Sequence, residues 1–370
     1  MRPTILAFYL PQYYPFKEND EWWGKGFTEW TSVGRAKPLF KGHYQPKVPA
    51  DLSYYDLRLP IIREQQAEMA KQYGVDGFCY WHYWFGNGKR LLDLVENEVV
   101  ASGKPDFPFC YCWANHTWAS KNWNAKDSKI GHQTLIEQTY PGEQDYVDHF
   151  NACLTAFKDK RYIKKENKPI FGVFDATDIP DVNLFINTWN TLAKRNGFDG
   201  IYFICYCMTV GRYEESKAYP FDEFVVDPMN LAGGQESFFH KKFRRLLMRL
   251  NMEQHLLSLK LTPYQNYIDA SVKYFEEHDN VSICVLPNYD HSPRSGKLAF
   301  ILTESSPQLF GKLLAKIKQL LEKRKTNNEY LFIKAWNEWG EGNYLEPDLK
   351  YGHGFLEQIF NVFGKKVNNR

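Results

Sequence analysis

Tyr330-Leu331-Phe332-Ile333-Lys334-Ala335-Trp336-Asn337-Glu338-Trp339-Gly340-Glu341-Gly342 runs from a short apolar segment straight into two glutamates. An apolar run of this length, bounded by turn-forming residues, reads as a strand buried on both faces, the pattern of a parallel sheet. Glu338 closes the segment and Glu341 follows three residues later, with Gly340 and Gly342 admitting tight backbone turns. Two carboxylates among tryptophans just past a strand suit acid/base chemistry on a sugar. A pair of solvated loop glutamates is the plain alternative, because exposed acidic residues are the norm.

Apolar segments of the same kind recur toward the N-terminus, alternating with helical periodicity. Strands read at residues 4–9, 77–83, 107–113, 169–174, 200–207, 223–226, 281–286 and 330–336. Helices read at 60–73, 90–101, 144–158, 182–195, 307–323 and 354–363, and the segment 238–278 reads as mostly helical and basic. Each return to a parallel neighbour needs a crossover. Eight such units in 370 residues fit one (β/α)8 TIM barrel, an α/β fold with a single domain over 1–370. Residues 12–55 form a long aromatic loop after the first strand. An open doubly wound sheet is the alternative; no Gly-x-Gly-x-x-Gly follows the first strand, which counts against dinucleotide binding.

The chain carries 46 basic and 44 acidic residues, a net charge of +2, so nothing marks it as a nucleic-acid binder. Its seven cysteines sit mostly inside apolar runs, which predicts buried free thiols rather than disulfides. The Cys110-x-Cys112 and Cys205-x-Cys207 spacings do not match the usual metal or redox patterns, and no metal or cofactor is expected. The first apolar run is short and Pro11 interrupts it, so no leader is read there. No run approaches the ~18 apolar residues of a membrane span. A cytoplasmic location is the expectation. The basic stretch Lys241-Lys242-Phe243-Arg244-Arg245 reads as a solvated helix face, with peripheral contact to a membrane or a phosphate-bearing lipid carrier as the sharper reading.

In a barrel the strand C-termini converge on one face, where active sites lie. That places Tyr9 and Gln12 there from the first strand, Tyr80, His82 and Trp84 from the second, and Trp113, Asn115 and His116 from the third. Asp175, Asp227, Asn288 and Asp290 follow from later strands, and Trp336, Asn337, Glu338 and Glu341 from the last. Glu338 and Glu341 are the candidate catalytic pair. The candidate substrate-binding residues are Tyr9, Gln12, Trp30, Tyr80, His82, Trp84, Trp113, Asn115, Asp175, Asp290, Trp336 and Asn337. Each has a structural alternative: His82 as a satisfied core histidine, Trp113 and Asn115 as core packing, and Trp22, Trp23 and Trp30 as a plug rather than a lid. Asp290 and Arg294 read equally as a loop-ordering pair, and Glu346 as structural.

Several longer motifs carry a resemblance. Ala7-Phe8-Tyr9-Leu10-Pro11-Gln12, Gly24-Lys25-Gly26-Phe27-Thr28-Glu29-Trp30, Lys37-Pro38-Leu39-Phe40-Lys41-Gly42-His43-Tyr44-Gln45-Pro46, Gly74-Val75-Asp76-Gly77-Phe78-Cys79-Tyr80-Trp81-His82-Tyr83-Trp84 and Trp336-Asn337-Glu338-Trp339-Gly340-Glu341-Gly342 resemble the WbsX-type polysaccharide-biosynthesis proteins. That group is similar to glycoside hydrolase family 99, the endo-α-mannosidase family. The resemblance implies a (β/α)8 barrel and a retaining reaction at an α-configured sugar of a cell-surface polysaccharide, or of its lipid-linked precursor. It implies that Glu338 deprotonates the sugar's own 2-hydroxyl, which closes a 1,2-anhydro ring, and that Glu341 is the general acid/base. Burial against tryptophan is expected to raise the Glu341 pKa for that role. Family 99 carries His where this chain has Gly340, so substrate choice is expected to diverge there. A glycosyltransferase of polysaccharide biosynthesis and a non-catalytic glycan-binding barrel are the alternatives.

Overall fold

The structure is a computed structural model and describes residues 2–119, 134–233, 242–243, 246, 250, 259–324 and 329–364. Its centre is built from β1 (Thr4–Tyr9), β2 (Gly77–His82), β3 (Phe109–Trp113) and β4 (Lys168–Val173), followed by β5 (Tyr202–Cys207), β6 (Glu223–Val226), β7 (Ser282–Val285) and β8 (Tyr330–Ile333). Each strand pairs in parallel with the next. β8 pairs back onto β1, from Thr4 opposite Tyr330 to Ala7 opposite Ile333, and closes the barrel. All eight expected strands are present, with ends moved by a few residues. The largest change is in β8, which stops at Ile333 rather than at 336.

Side chains alternate between the inside of the barrel and the helix layer, as the two-residue strand period requires. Phe8, Trp81, Tyr206 and Phe332 come from four different strands yet their rings meet inside. Phe8 stacks on Trp81 at 4.6 Å and lies 4.9 Å from Tyr206 and 5.7 Å from Phe332. Their sequence neighbours point outward into the helices.

The helix layer comprises α1 (Lys17–Trp23), α2 (Glu29–Arg35), α3 (Pro60–Gln72), α4 (Leu94–Ser102) and α5 (Glu143–Lys158), then α6 (Val182–Arg195), α7 (Val210–Ser216), α8 (Tyr264–Glu277), α9 (Pro307–Lys323) and α10 (Gly354–Phe363). Helix starts follow local chemistry. Asp181 accepts from Leu184 N at α6, Ser306 accepts from Leu309 N at α9, and prolines open α3 and α9. Among the described residues no helix is long and apolar enough to cross a membrane.

Three expectations change. The aromatic loop 12–55 holds two short helices, the second started by a reciprocal Thr28–Thr31 box that a search for Glu or Gln at the fourth position passes over. The helix expected from residue 90 begins at Leu94, because Leu92 sits at φ +57 and Arg90 bridges to Trp84. Among the described residues of 238–278, α8 is the long helix, and most of 238–258 lies outside the described residues. Lys260–Pro263 is instead a strand paired in parallel with Phe300–Thr303, and Pro263 favours an extended residue before it. Lys241, Arg244 and Arg245 of the basic stretch lie outside the described residues.

Candidate active site

A cavity of about 400 Å³ opens at the C-terminal end of the strands, within the size range of small-molecule sites. Trp81 and Tyr83 at the end of β2, Phe174 after β4 and Met208 after β5 form its apolar side. Trp22, Trp23 and Phe27 from the N-terminal loop and Trp118 after β3 close over it. One side of the wall is charged, with Glu29, His291, Arg294, Lys334, Glu338 and Glu341, and small, polar and leucine residues complete the lining. Flat aromatic faces beside fixed polar groups are the arrangement that suits a sugar ring.

The charged wall is one network. Arg294 donates from Nη1 to Glu341 Oε1 at 2.6 Å and from Nε to Glu29 Oε2 at 3.1 Å, and its Nη2 lies 3.8 Å from Glu338 Oε2. Lys334 Nζ reaches Glu341 Oε2 at 3.2 Å, and His291 Nε2 lies 3.9 Å from Glu341 Oε1. Among the described residues, the one hydrogen-bond donor to Glu338 is Trp81 Nε1, at 2.8 Å.

These surroundings drive the two carboxyls apart. Burial, and then the charge of Glu341, push Glu338 up to about 7, against the pull of Lys334, Arg294 and the Trp81 hydrogen bond. Burial acts upward on Glu341 as well, but Lys334, Arg294 and His291 override it and hold Glu341 well below the usual carboxylate range. The expectation of a raised Glu341 is therefore corrected: the tryptophan contact and the upward shift belong to Glu338. Asp227 is fully buried at the end of β6, and burial raises it to about 6 although Lys334 draws it down.

Of the sequence candidates, Gln12, His116, Glu338 and Glu341 line the cavity, and so do Trp22 and Trp23 of the lid-or-plug group. The others sit around it in structural roles. Tyr9 points outward and donates to Gln66 of α3 at 2.6 Å, and Tyr80 packs beside it at 4.7 Å. His82 also faces the helices: its Nδ1 meets Glu96 of α4 at 2.8 Å and its Nε2 meets His149 of α5 at 2.9 Å. Cys153 Sγ lies 3.7 Å from the same Nε2. His82, His149 and Cys153 are the one described group whose metal-ligand atoms fall within 4.8 Å of each other. Trp84 stacks on His149, and Trp113 packs on Phe185 of α6.

Asn115 clips the loop after β4 by bonding Asp175 N and O, and Asp175 caps the following turn and faces Arg212. Asn337 holds Leu10 through both its backbone groups, and Trp336 packs on Phe78. Trp30 donates to Tyr55 O and packs on Trp339 behind the cavity wall. Asp290 takes His43, Gln45 and the Ser292 amide, so the loop-ordering alternative of Asp290 with Arg294 is not met, and Arg294 faces three glutamates. Glu346 is buried under bonds from Tyr55, Gln66 and Trp339, as its structural reading required.

Sequence reasoning passed over Trp81, Tyr83, Phe174, Lys334 and Glu29, and considered Arg294 only together with Asp290. The first two follow from strand register: Phe8 lies opposite Cys79, so the alternate residues Trp81 and Tyr83 share its inward face while Tyr80 and His82 do not. Arg294 and Glu29 come from separate loops, and no local pattern joins them.

A family model described as Glycosyltransferase WbsX matches residues 5–359. Two proteins described as uncharacterized protein WxcX, from two strains of Xanthomonas campestris pv. campestris, are each 32% identical over 96% of this chain. The chain spans 48% of the length of these relatives. Among solved structures, a glycoside hydrolase-like protein covers 98% of the chain at TM-score 0.63 and 13% identity, with 94% of its own length matched. The GH99 endo-alpha-mannosidase from Bacteroides thetaiotaomicron, in complex with bis-tris propane, covers 97% at TM-score 0.55 and 13% identity, with 95% of its own length matched. At that identity the likeness to the two structures is one of fold.

Proposed function

The chain belongs to the Glycosyltransferase WbsX family, and on that premise we propose that it is a carbohydrate-active enzyme that cleaves or transfers an α-glycosidic bond of a surface polysaccharide or its lipid-linked precursor. The observation that carries this reading is geometric: Glu338, bonded by Trp81 and raised by burial, and Glu341, clamped by Arg294 and Lys334, face one aromatic cavity. General acid/base catalysis is most effective when a group titrates near the working pH.

Glu338 is the base. Ionised above about 7, it combines a high proton affinity with a place at the cavity wall. It takes the proton of the sugar 2-hydroxyl, whose oxygen attacks the anomeric carbon as the bond to the leaving oxygen breaks. Glu341 gives its proton to that oxygen, leaving a 1,2-anhydro sugar. Water or an acceptor hydroxyl then loses its proton to Glu341 and attacks the anomeric carbon, and the 2-oxygen recovers its proton from Glu338. Two inversions leave the configuration retained.

Glu341 is clamped as an anion in the ligand-free protein. It becomes an acid by taking a proton from water as substrate oxygens draw Arg294 and Lys334 away and its proton affinity rises, consistent with catalytic contacts that form only in the bound complex. Transfer to a sugar hydroxyl in place of water is the second reading, favoured by the family's description as a glycosyltransferase. The mechanism is tested with an oligosaccharide of the source organism's surface polysaccharide and its 2-deoxy analogue. The parent is turned over with retention, followed by NMR of the anomeric proton, and the analogue is inert. Turnover of the analogue rejects 2-hydroxyl participation.

A further inference from the structure

Gly340 lies between the two glutamates, and its φ is not in the left-handed region, so conformational freedom does not account for it. Space does. A Cβ at 340 would stand 1.9 Å from Glu29 Oε2 and 2.8 Å from Arg294 Nε. The carboxylate of Glu29 and a side chain at 340 exclude each other. Glu29 is 1% exposed, lies at the start of α2 and lines the cavity. Its carboxylate is held by Arg294, through Nε and Nη2 both at 3.1 Å. The same guanidinium reaches Glu341 at 2.6 Å and Glu338 at 3.8 Å.

We propose that Glu29, admitted by the bare backbone at Gly340, is a positioning residue that anchors Arg294 and so sets how strongly the guanidinium acts on Glu338 and Glu341. The proposal rests on the reading of Glu338 and Glu341 as the reacting pair. One cation is shared among three carboxylates. With Glu29 present, Arg294 has an anchor to retain when substrate draws it from Glu341. Without Glu29, its charge falls entirely on the other two, and both hold their protons more weakly. Residue 340 then determines whether such an anchor exists: a larger side chain there displaces Glu29 and frees Arg294.

Glu338 is faced by charge from several elements. Glu29 and Arg294 come from the two loops, and Lys334 and Glu341 from the segment after β8, with His291 behind Glu341. The phenols of Tyr83 and Tyr289 also face it, and neither is changed by the variants below. The test reads the Glu338 carboxyl directly, by pH titration of protein labelled with 13C at the glutamate carboxyl and assigned with Glu338→Gln. In Glu29→Gln the Glu338 midpoint falls by about one unit or more. Gly340→Ala pushes the same carboxylate aside and shifts the midpoint in the same direction. The double variant Glu29→Ala/Gly340→Ala shifts no further than Glu29→Ala alone. An unmoved midpoint in folded Glu29→Gln overturns the proposal, as do additive shifts in the double variant. Gly340→Ala keeps the question decidable if Glu29→Gln fails to fold. The titration needs no substrate, so it separates the two readings: if the glycosidic reading fails, Glu338→Gln and Glu341→Gln stay active while the coupling persists.

Discussion

Trp81 Nε1 donates to Glu338 Oε1 at 2.8 Å, tying the end of β2 to the segment after β8 on the cavity wall. The indole is itself stacked on Phe8 inside the barrel, so the donor is held by the core. A hydrogen bond to a carboxylate favours its ionised form. Trp81→Phe keeps an aromatic ring in that place and removes the donor. The Glu338 midpoint is expected to rise from about 7 by roughly one unit, a bond to a charged group contributing about 1.5–3 kcal/mol. Carboxyl titration checks this, and a midpoint that falls or stays counts against the assignment.

The two glutamates are expected to have opposite effects on stability. Glu338 is raised in the fold, so the unfolded chain loses this proton first as pH rises. Stability drains between the unfolded value near 4.5 and about 7, and the deficit is complete above 7. Glu338→Gln removes a charge the fold disfavours and should stabilise at pH 8, by up to about 3 kcal/mol, with little effect at pH 4. Thermal denaturation at the two pH values measures the difference. A loss of stability at pH 8 contradicts the raised state.

Glu341 is depressed, so its contribution is present above the unfolded value and is lost as pH falls through the folded one. Glu341→Gln leaves Lys334 and Arg294, 7% and 14% exposed, without their shared anion. A cost of about 3 kcal/mol at pH 7 follows, the lower end for a buried ion pair that loses one partner. Denaturant unfolding of Glu341→Gln beside Glu338→Gln at pH 7 gives the comparison, and equal stability of the two variants contradicts the clamp.

His82 makes the same argument away from the cavity. Burial disfavours its charge, but Glu96 prevails and the ring is raised to about 10. A histidine raised in the fold stabilises fully below its unfolded value near 6.5 and loses that contribution as pH rises through about 10. Glu96→Gln should therefore cost about 3 kcal/mol at pH 6 and abolish the alkaline decline between those values. Unfolding measured across that range decides it; an unchanged slope in Glu96→Gln removes His82 as its source.

The barrel was legible because its evidence is repeated. Eight apolar runs, separated by crossover segments, constrain each other even where single ends shift, as at Leu94 and Ile333. The catalytic candidates were legible for a local reason: Glu338 and Glu341 sit in one motif at one strand end. The binding residues were harder. Tyr9, Tyr80, His82 and Trp113 share the strand ends with Phe8 and Trp81, and only the two-residue alternation separates wall from outer packing. Taking strand ends without fixing that parity selects residues of the wrong face. Glu29 and Arg294 meet through the fold alone. What the sequence shows of them is Gly340, whose meaning is the space it leaves.

The central claim is that Glu338 and Glu341 act on a glycosidic bond. The measurement closest to it is incubation of the protein with the source organism's own surface polysaccharide, following new reducing ends or transferred products by mass spectrometry, beside Glu338→Gln and Glu341→Gln. The account predicts products from the unaltered protein and a loss of at least about a hundredfold in each folded variant. Product formation at the unaltered rate in either variant contradicts it.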